Sequence, residues 1–331
     1  MCRPLEGRPV VVIGAGVAGL TAAVALAESG AQVTLFERSD VLGRAACSWM
    51  AGGMLAPYCE HDGAEPEVSR RGFLALDWWP RRIANVCQRG SLVVAAARDR
   101  SELRRFAART HPHRSLDADA IAGLEPDLAG RFTHGLWFAE EAHLDPREAL
   151  GALADALRQL GGTIELGKAA NAGDFGEVPV VDCTGLAARD ALPALRGVRG
   201  EMLLLRSRDV RLSRPVRLLH PRMSVYIVPR KDGLLMLGAT SIESDQSGPV
   251  TARSAMELLN AAYALHPGLA EAEILEFGVG VRPAFPDNLP HLSVNGGVVY
   301  FNGLYRHGFL LAPWYAEQLA ADMAHRFSEA A

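Results

Sequence analysis

The chain has 331 residues, 49% of them hydrophobic and 22% charged, with a formal net charge of −4. That length exceeds one comfortable core and predicts two domains in a globular protein. The mild negative charge and the scattered arginines exclude a basic surface for nucleic acid or an anionic membrane. The five cysteines, Cys2, Cys47, Cys59, Cys87 and Cys183, form no CxxC pair. They predict neither a disulfide framework nor a metal site, and fit a reducing cytoplasm.

The first element is VVVIGAGVAGLTAAVALAESG, beginning at Val10. Its apolar length approaches the roughly 20 residues of a membrane span, and arginines precede it as in a secretion signal. Gly14, Gly16 and Gly19 argue for a third reading. They stand in GxGxxG spacing between a β-branched run and a helix-forming run, and the strand QVTLFE follows, ending in Glu37. Strand, glycine turn, helix, strand and acid together predict a dinucleotide site. Gly14 allows the turn, Gly16 lets a pyrophosphate approach, and Gly19 lets the helix pack closely. Val17 and Ala18 open the helix, whose N-terminus favours phosphate. Glu37, with Arg38 beside it, can accept from ribose hydroxyls.

After Glu37 comes RSDVLGRAACSWMAGGMLAPYCE, a long loop rich in glycine, alanine and serine. It carries Gly43, Arg44, Ser48, Gly52 and Gly53, and such a loop lets backbone amides approach a large flat cofactor. That suits a flavin better than nicotinamide. A tryptophan-bearing helix is predicted within residues 65–80, and DPREALGALADALRQLGG from Asp145 shows helical periodicity ended by a glycine pair. TIELG is a strand. VPVVDCTGLAARD is a strand followed by a turn at Thr184 and Gly185, placed near the cofactor. VRGEMLLLRS, VYIVPRKDGLLMLGATS and AEILEFGVGVRP alternate as antiparallel strands, with a hairpin at Lys231, Asp232 and Gly233. Finally GGVVYFNGLYRHGFLLAPWYAEQLAADMAHRF predicts strand, loop and helix. His307, Gly308, Phe309 and Leu310 bring a second helix N-terminus to the cofactor, where its dipole favours negative charge. Trp49, Trp78 and Trp79 are expected as packing anchors, and His143, His220 and His307 as polar loop or surface residues.

The fold class predicted is α/β plus α+β: a Rossmann-type domain interleaved with an antiparallel-sheet domain. The first takes residues 1–84, 138–196 and 280–331. The second, binding substrate, takes residues 85–137 and 197–279.

VVVIGAGVAGLTAAVALAESGAQVTLFE, SWMAGGMLAPYCE, VRGEMLLL, YIVPRKDGLLMLGAT, GVRP and GLYRHGFLLAP resemble, in order, the amine oxidases of the D-amino-acid oxidase superfamily. Within it the likeness is to the glycine oxidases of thiamine biosynthesis. The resemblance implies non-covalent FAD, a small amino acid substrate and O2, and a homo-oligomer that hands its imine to a thiazole synthase. It places Tyr226 near the substrate carboxylate, Arg282 in a pair with it, Arg306 as a second arginine nearby, and Gly53 and Met54 along the flavin ring and substrate pocket. Chemistry agrees, because a buried carboxylate needs a partner and a guanidinium supplies two hydrogen bonds. No general base is nominated. Cys59 and Cys183 lie in cofactor-lining stretches. Ser241 stands where a larger methionine is familiar, which leaves a larger D-amino acid or N-methyl amino acid open as substrate. A non-oxidase FAD protein or electron-transfer subunit is the alternative from another class.

Overall fold

The opening apolar run folds as two elements. In the computed structural model, which describes residues 5–329, Pro9–Ile13 is a strand and Val17–Glu28 a helix. Gly14 joins them at φ +101°, a conformation natural only to glycine. A side chain on Gly19 would put its Cβ 1.8 Å from the Gly14 carbonyl oxygen, so the helix starts this close only because the residue is glycine. Among the described residues no helix is long and apolar enough to cross a membrane. Cys2 lies outside the described residues.

Pro9–Ile13 runs inside a six-stranded sheet. The order is His291–Asn295, Val298–Asn302, Val180–Asp182, Pro9–Ile13, Gln32–Glu37, Thr163–Leu166. Neighbours are parallel except for the antiparallel hairpin at the His291–Asn295 edge. Both faces are covered. Val10 and Val12 join the helices Val17–Glu28, Pro66–Trp78, Pro146–Gln159 and Gly308–Glu329 in one core, while Val11 and Ile13 pack with Val180, Phe36 and Phe175 on the other. A strand buried on both faces is apolar at every position, which is why this one resembled a membrane segment.

Trp78 and Trp79 are fully buried, and the Trp79 indole donates to the Phe309 carbonyl at 2.8 Å. This ties the long C-terminal helix to the Pro66–Trp78 helix. Trp49 is half-buried, with the Arg147 guanidinium 4.8 Å over its ring.

The second sheet has nine strands and is mostly antiparallel. Arg196–Arg206 is its longest internal strand, pairing on one side with Leu234–Gly238 and Ile242–Glu243 and on the other with Glu273–Ala284. Val225–Pro229 joins Leu234–Gly238 through the expected turn, where Asp232 adopts φ +57°. Val216–Leu219 then pairs in parallel with Ser91–Ala95, a break in the antiparallel pattern that the alternation did not foretell. The helix Ala252–Leu265 covers one face and buries Leu258, Ala262 and Leu265.

A short pairing of Met54–Leu55 with Ala142–His143 is a separate two-stranded sheet. It corrects one expectation: His143 is not a surface residue but 5% exposed, its backbone paired with Cys87. Burial drives its pKa down to about 3, so it is a neutral structural imidazole.

Candidate active site

One cavity of about 860 Å³ is bordered by the carboxyl ends of the parallel strands, by the loop after Glu37 and by the inner strands of the second sheet. Every site residue nominated from the sequence stands on its wall.

At one end are Gly14, Gly16 and Glu37. The Glu37 carboxylate accepts from the Ala15 N–H at 2.8 Å and the Ser39 N–H at 2.9 Å. Two backbone donors thus lock it in place, and its remaining lone pairs are free for a ligand. Gly16 has a second reason to be glycine. Its Cβ would lie 3.2 Å from Ser48 Oγ and 3.3 Å from Ala46 Cβ, so the loop after Glu37 packs against the turn itself. Ser48 Oγ accepts from the Val17 N–H at 3.1 Å and caps the helix across the chain.

Arg44, Ser48, Gly53, Met54, Thr184 and Gly185 also border the cavity, with the N-terminus of Gly308–Glu329. Gly53 sits at φ +68°, and a side chain there would collide with the Leu144 carbonyl at 2.2 Å. The Leu144 N–H donates to the Gly53 carbonyl at 2.9 Å. Arg230 clamps the same loop, donating to the Gly52 carbonyl at 2.7 Å and lying 3.3 Å from Asp145. Arg230 stood in the YIVPR motif and was not singled out there.

At the far end Tyr226 packs on Gly52, where a Cβ would come within 2.8 Å of the ring. Burial raises the Tyr226 pKa and Arg282 only partly offsets it, so the hydroxyl keeps its proton at neutral pH and can donate. Arg282 comes from the strand Glu273–Ala284, opposite Val198. Its guanidinium donates to the Thr240 carbonyl at 3.2 Å, and among the described residues no carboxylate pairs with it.

Arg306 differs. It lies 3.4 Å from Glu60 Oε2, and Arg217 donates to Glu60 Oε1 at 3.0 Å. Neither Glu60 nor Arg217 was nominated. Glu60 belongs to the MLAPYCE stretch, which could have flagged it, whereas nothing local marks Arg217. Burial alone would raise the Glu60 pKa, but Arg306, His307 and Arg217 outweigh it and hold the carboxyl at about 2. His307 stands in the loop just before the last helix, as expected, but not on the surface: it is 5% exposed, with Nδ1 3.5 Å from Glu60. Burial brings its pKa down to about 4, leaving a neutral ring at pH 7.

One further expectation is corrected. Cys183 borders the cavity but Cys59 does not. Cys59 is buried behind the wall, its N–H donating to Glu141 at 2.7 Å, and the second wall cysteine is Cys47. Ser241 is exposed and does not itself border the cavity, but lies 3.5 Å from the hydroxyl of Tyr305, which does.

Residues 9–322 match the family described as FAD dependent oxidoreductase, DAO. The chain belongs to this family. It is 56% identical over 312 residues to the Rhizobium etli protein assigned as thiamine biosynthesis oxidoreductase ThiO, covering 94% of this chain and 95% of the relative. It is 29% identical to the Nostoc bifunctional protein ThiO/ThiG, covering 95% of this chain and 52% of that longer protein. It is 27% identical to a Bacillus licheniformis glycine oxidase, covering 94% of this chain and 91% of the relative. In fold it matches the crystal structure of glycine oxidase from Geobacillus kaustophilus, with a TM-score of 0.79 at 23% identity over 96% of this chain and 95% of that one. FAD is thus the cofactor of this oxidoreductase. The cavity fits it: a glycine turn and a fixed carboxylate stand at one end, and two helix N-termini border the wall.

Proposed function

We propose that the protein oxidises glycine to its imine, which hydrolyses to glyoxylate and ammonia while O2 is reduced to hydrogen peroxide. The observation that carries this reading is Arg282. It is a guanidinium on the cavity wall, braced by the Thr240 carbonyl and without a carboxylate partner among the described residues. A partly buried cation in that state is a site for a ligand carboxylate. Bound FAD supplies the two-electron acceptor. The protein's part is orientation and exclusion of water. Arg282 holds the carboxylate, the Tyr226 hydroxyl donates a further hydrogen bond, and Gly52 and Met54 shape the wall beside them. His307 and Glu60 are both in their proton-accepting forms at pH 7, but pKa values held down to about 4 and about 2 make each a weak base, which suits a substrate amine that enters neutral.

Gly14, Gly16, Val17, Ala18, Glu37 and Arg38 would hold the adenosine and pyrophosphate portion. Arg44, Ser48, Gly53, Met54, Thr184, Gly185 and residues 307–310 would hold the ring portion. Burial raises the pKa of both wall thiols, Cys47 and Cys183, which makes them poor nucleophiles and supports non-covalent binding. The fused Nostoc relative supports transfer of the imine to a partner enzyme of thiazole formation.

The test is anaerobic mixing of the purified holoenzyme with glycine while following the visible flavin band. Bleaching, with recovery and peroxide on admitting air, is the expected result. A band that glycine leaves unchanged while D-alanine or sarcosine bleaches it would move the substrate to a larger amine.

A further inference from the structure

The two arginines at the substrate end of the cavity are not equivalent. Arg282 meets a carbonyl oxygen and no carboxylate. Arg306 keeps 42% of its side chain exposed but already faces Glu60 at 3.4 Å. Glu60 is held by Arg217 at 3.0 Å, so its other oxygen is left toward Arg306 and His307. The Glu60 side chain is 12% exposed and borders the cavity. A ligand carboxylate that settles on Arg282 meets no like charge in direct contact with that guanidinium. A ligand carboxylate that reaches for Arg306 meets the Glu60 carboxylate within a few ångströms. Like charges this close in a partly buried site repel strongly, and rejection of a wrong ligand is commonly built in this way.

We propose that Glu60 is a specificity-determining residue: by occupying Arg306 and presenting its own charge to the cavity, it restricts the site to amines carrying one carboxylate and rejects those carrying two. The proposal rests on the reading of Arg282 as the carboxylate site. A Glu60 that only buried Arg217 would support the fold without changing the order in which ligands bind.

The experiment titrates the FAD-loaded protein with acetate, malonate and succinate, none of which is oxidised, and follows the perturbation of the visible flavin band. In the wild type, acetate binds more tightly than either dicarboxylate. Glu60→Gln keeps the shape and removes the charge. In that variant malonate or succinate gains on the order of tenfold or more relative to acetate, while Glu60→Asp keeps the wild-type order. Equal changes for mono- and dicarboxylates in Glu60→Gln would overturn the proposal. So would a wild type that already prefers malonate or succinate, a comparison that stands even where the variant does not fold. Failure of the Arg282 reading has a different signature: acetate perturbs the band in no form of the protein, and the proposal falls with it.

Discussion

The guanidinium of Arg282 lies across the backbone of Gly200, at the place where any other residue would put its side chain. A Cβ at Gly200 would be 2.1 Å from Arg282 Nη2 and 2.3 Å from its Cζ. The two residues sit on neighbouring strands, Gly200 pairing with Gly280 and Arg282 with Val198. A missing side chain on one strand is therefore the berth of the charge on the next.

The first prediction follows from that berth. Gly200→Ala pushes away the far end of a flexible side chain and not the backbone, so the fold should tolerate it. The carboxylate site should suffer. We expect KM for glycine to rise on the order of tenfold, with Tm within a few degrees of the wild type, because a displaced Arg282 loses its orientation. Thermal melts and steady-state kinetics on the same preparation check this. An unchanged KM would show that Arg282 takes its working position elsewhere.

Arg282→Ala should be more severe. It leaves the substrate carboxylate unpaired in a partly buried site, which costs on the order of 2–5 kcal/mol in kcat/KM. Arg282→Lys should recover only part of it, since an ammonium lacks the planar fork. Kinetics of the three forms with glycine would test the order.

Glu37→Ala should weaken FAD retention without altering substrate preference. It removes the acceptor of the Ala15 and Ser39 N–H groups as well as the proposed ribose partner. Leaving a buried donor unsatisfied costs about 1–3 kcal/mol. The Kd for FAD, from fluorescence on reconstituting apoprotein, should rise while the ratio of glycine to D-alanine turnover stays the same.

Glu141 gives the pH prediction. It is fully buried, one oxygen accepts from Cys59 N–H, and the other has no hydrogen-bond partner among the described residues. Burial pushes its pKa up from 4.5 to about 7. In the unfolded chain the group ionises near its ordinary value, so the native state holds a proton that the unfolded state has released. Stability from this group is therefore present below pH 4.5 and is lost as pH rises through about 7. Glu141→Gln removes that dependence. Its free energy of unfolding, from denaturant titration, should exceed the wild type's at pH 8 by on the order of 3 kcal/mol at most, with the gain shrinking toward pH 5. A gain of equal size at pH 5 and pH 8 would mean that ionisation of Glu141 is not its cause.

The glycine turn, both of its flanking elements and the acid at the end of the next strand were legible in the chain because their causes are local. A turn that needs positive φ, a buried parallel strand and a helix start are each written in a few consecutive residues. Arg282, Tyr226 and Arg306 were reached through motif likeness, and the cavity does bring them onto one wall. Their partners could not be read that way. Gly200 is an ordinary strand glycine until the register places it beneath Arg282. Glu60 and Arg217 are separated by 157 positions, and their ion pair forms only when the loop after Glu37 meets a strand of the second sheet. Burial likewise decided the histidines: alone, His143 and His307 are polar residues that belong in water, and packing makes both neutral. Local sequence determined the elements and the chemical character of this protein, because backbone conformation and side-chain type act over short range. Only the tertiary structure decided which charge is paired and which is left for a ligand, because pairing and burial depend on distances between segments far apart in the chain.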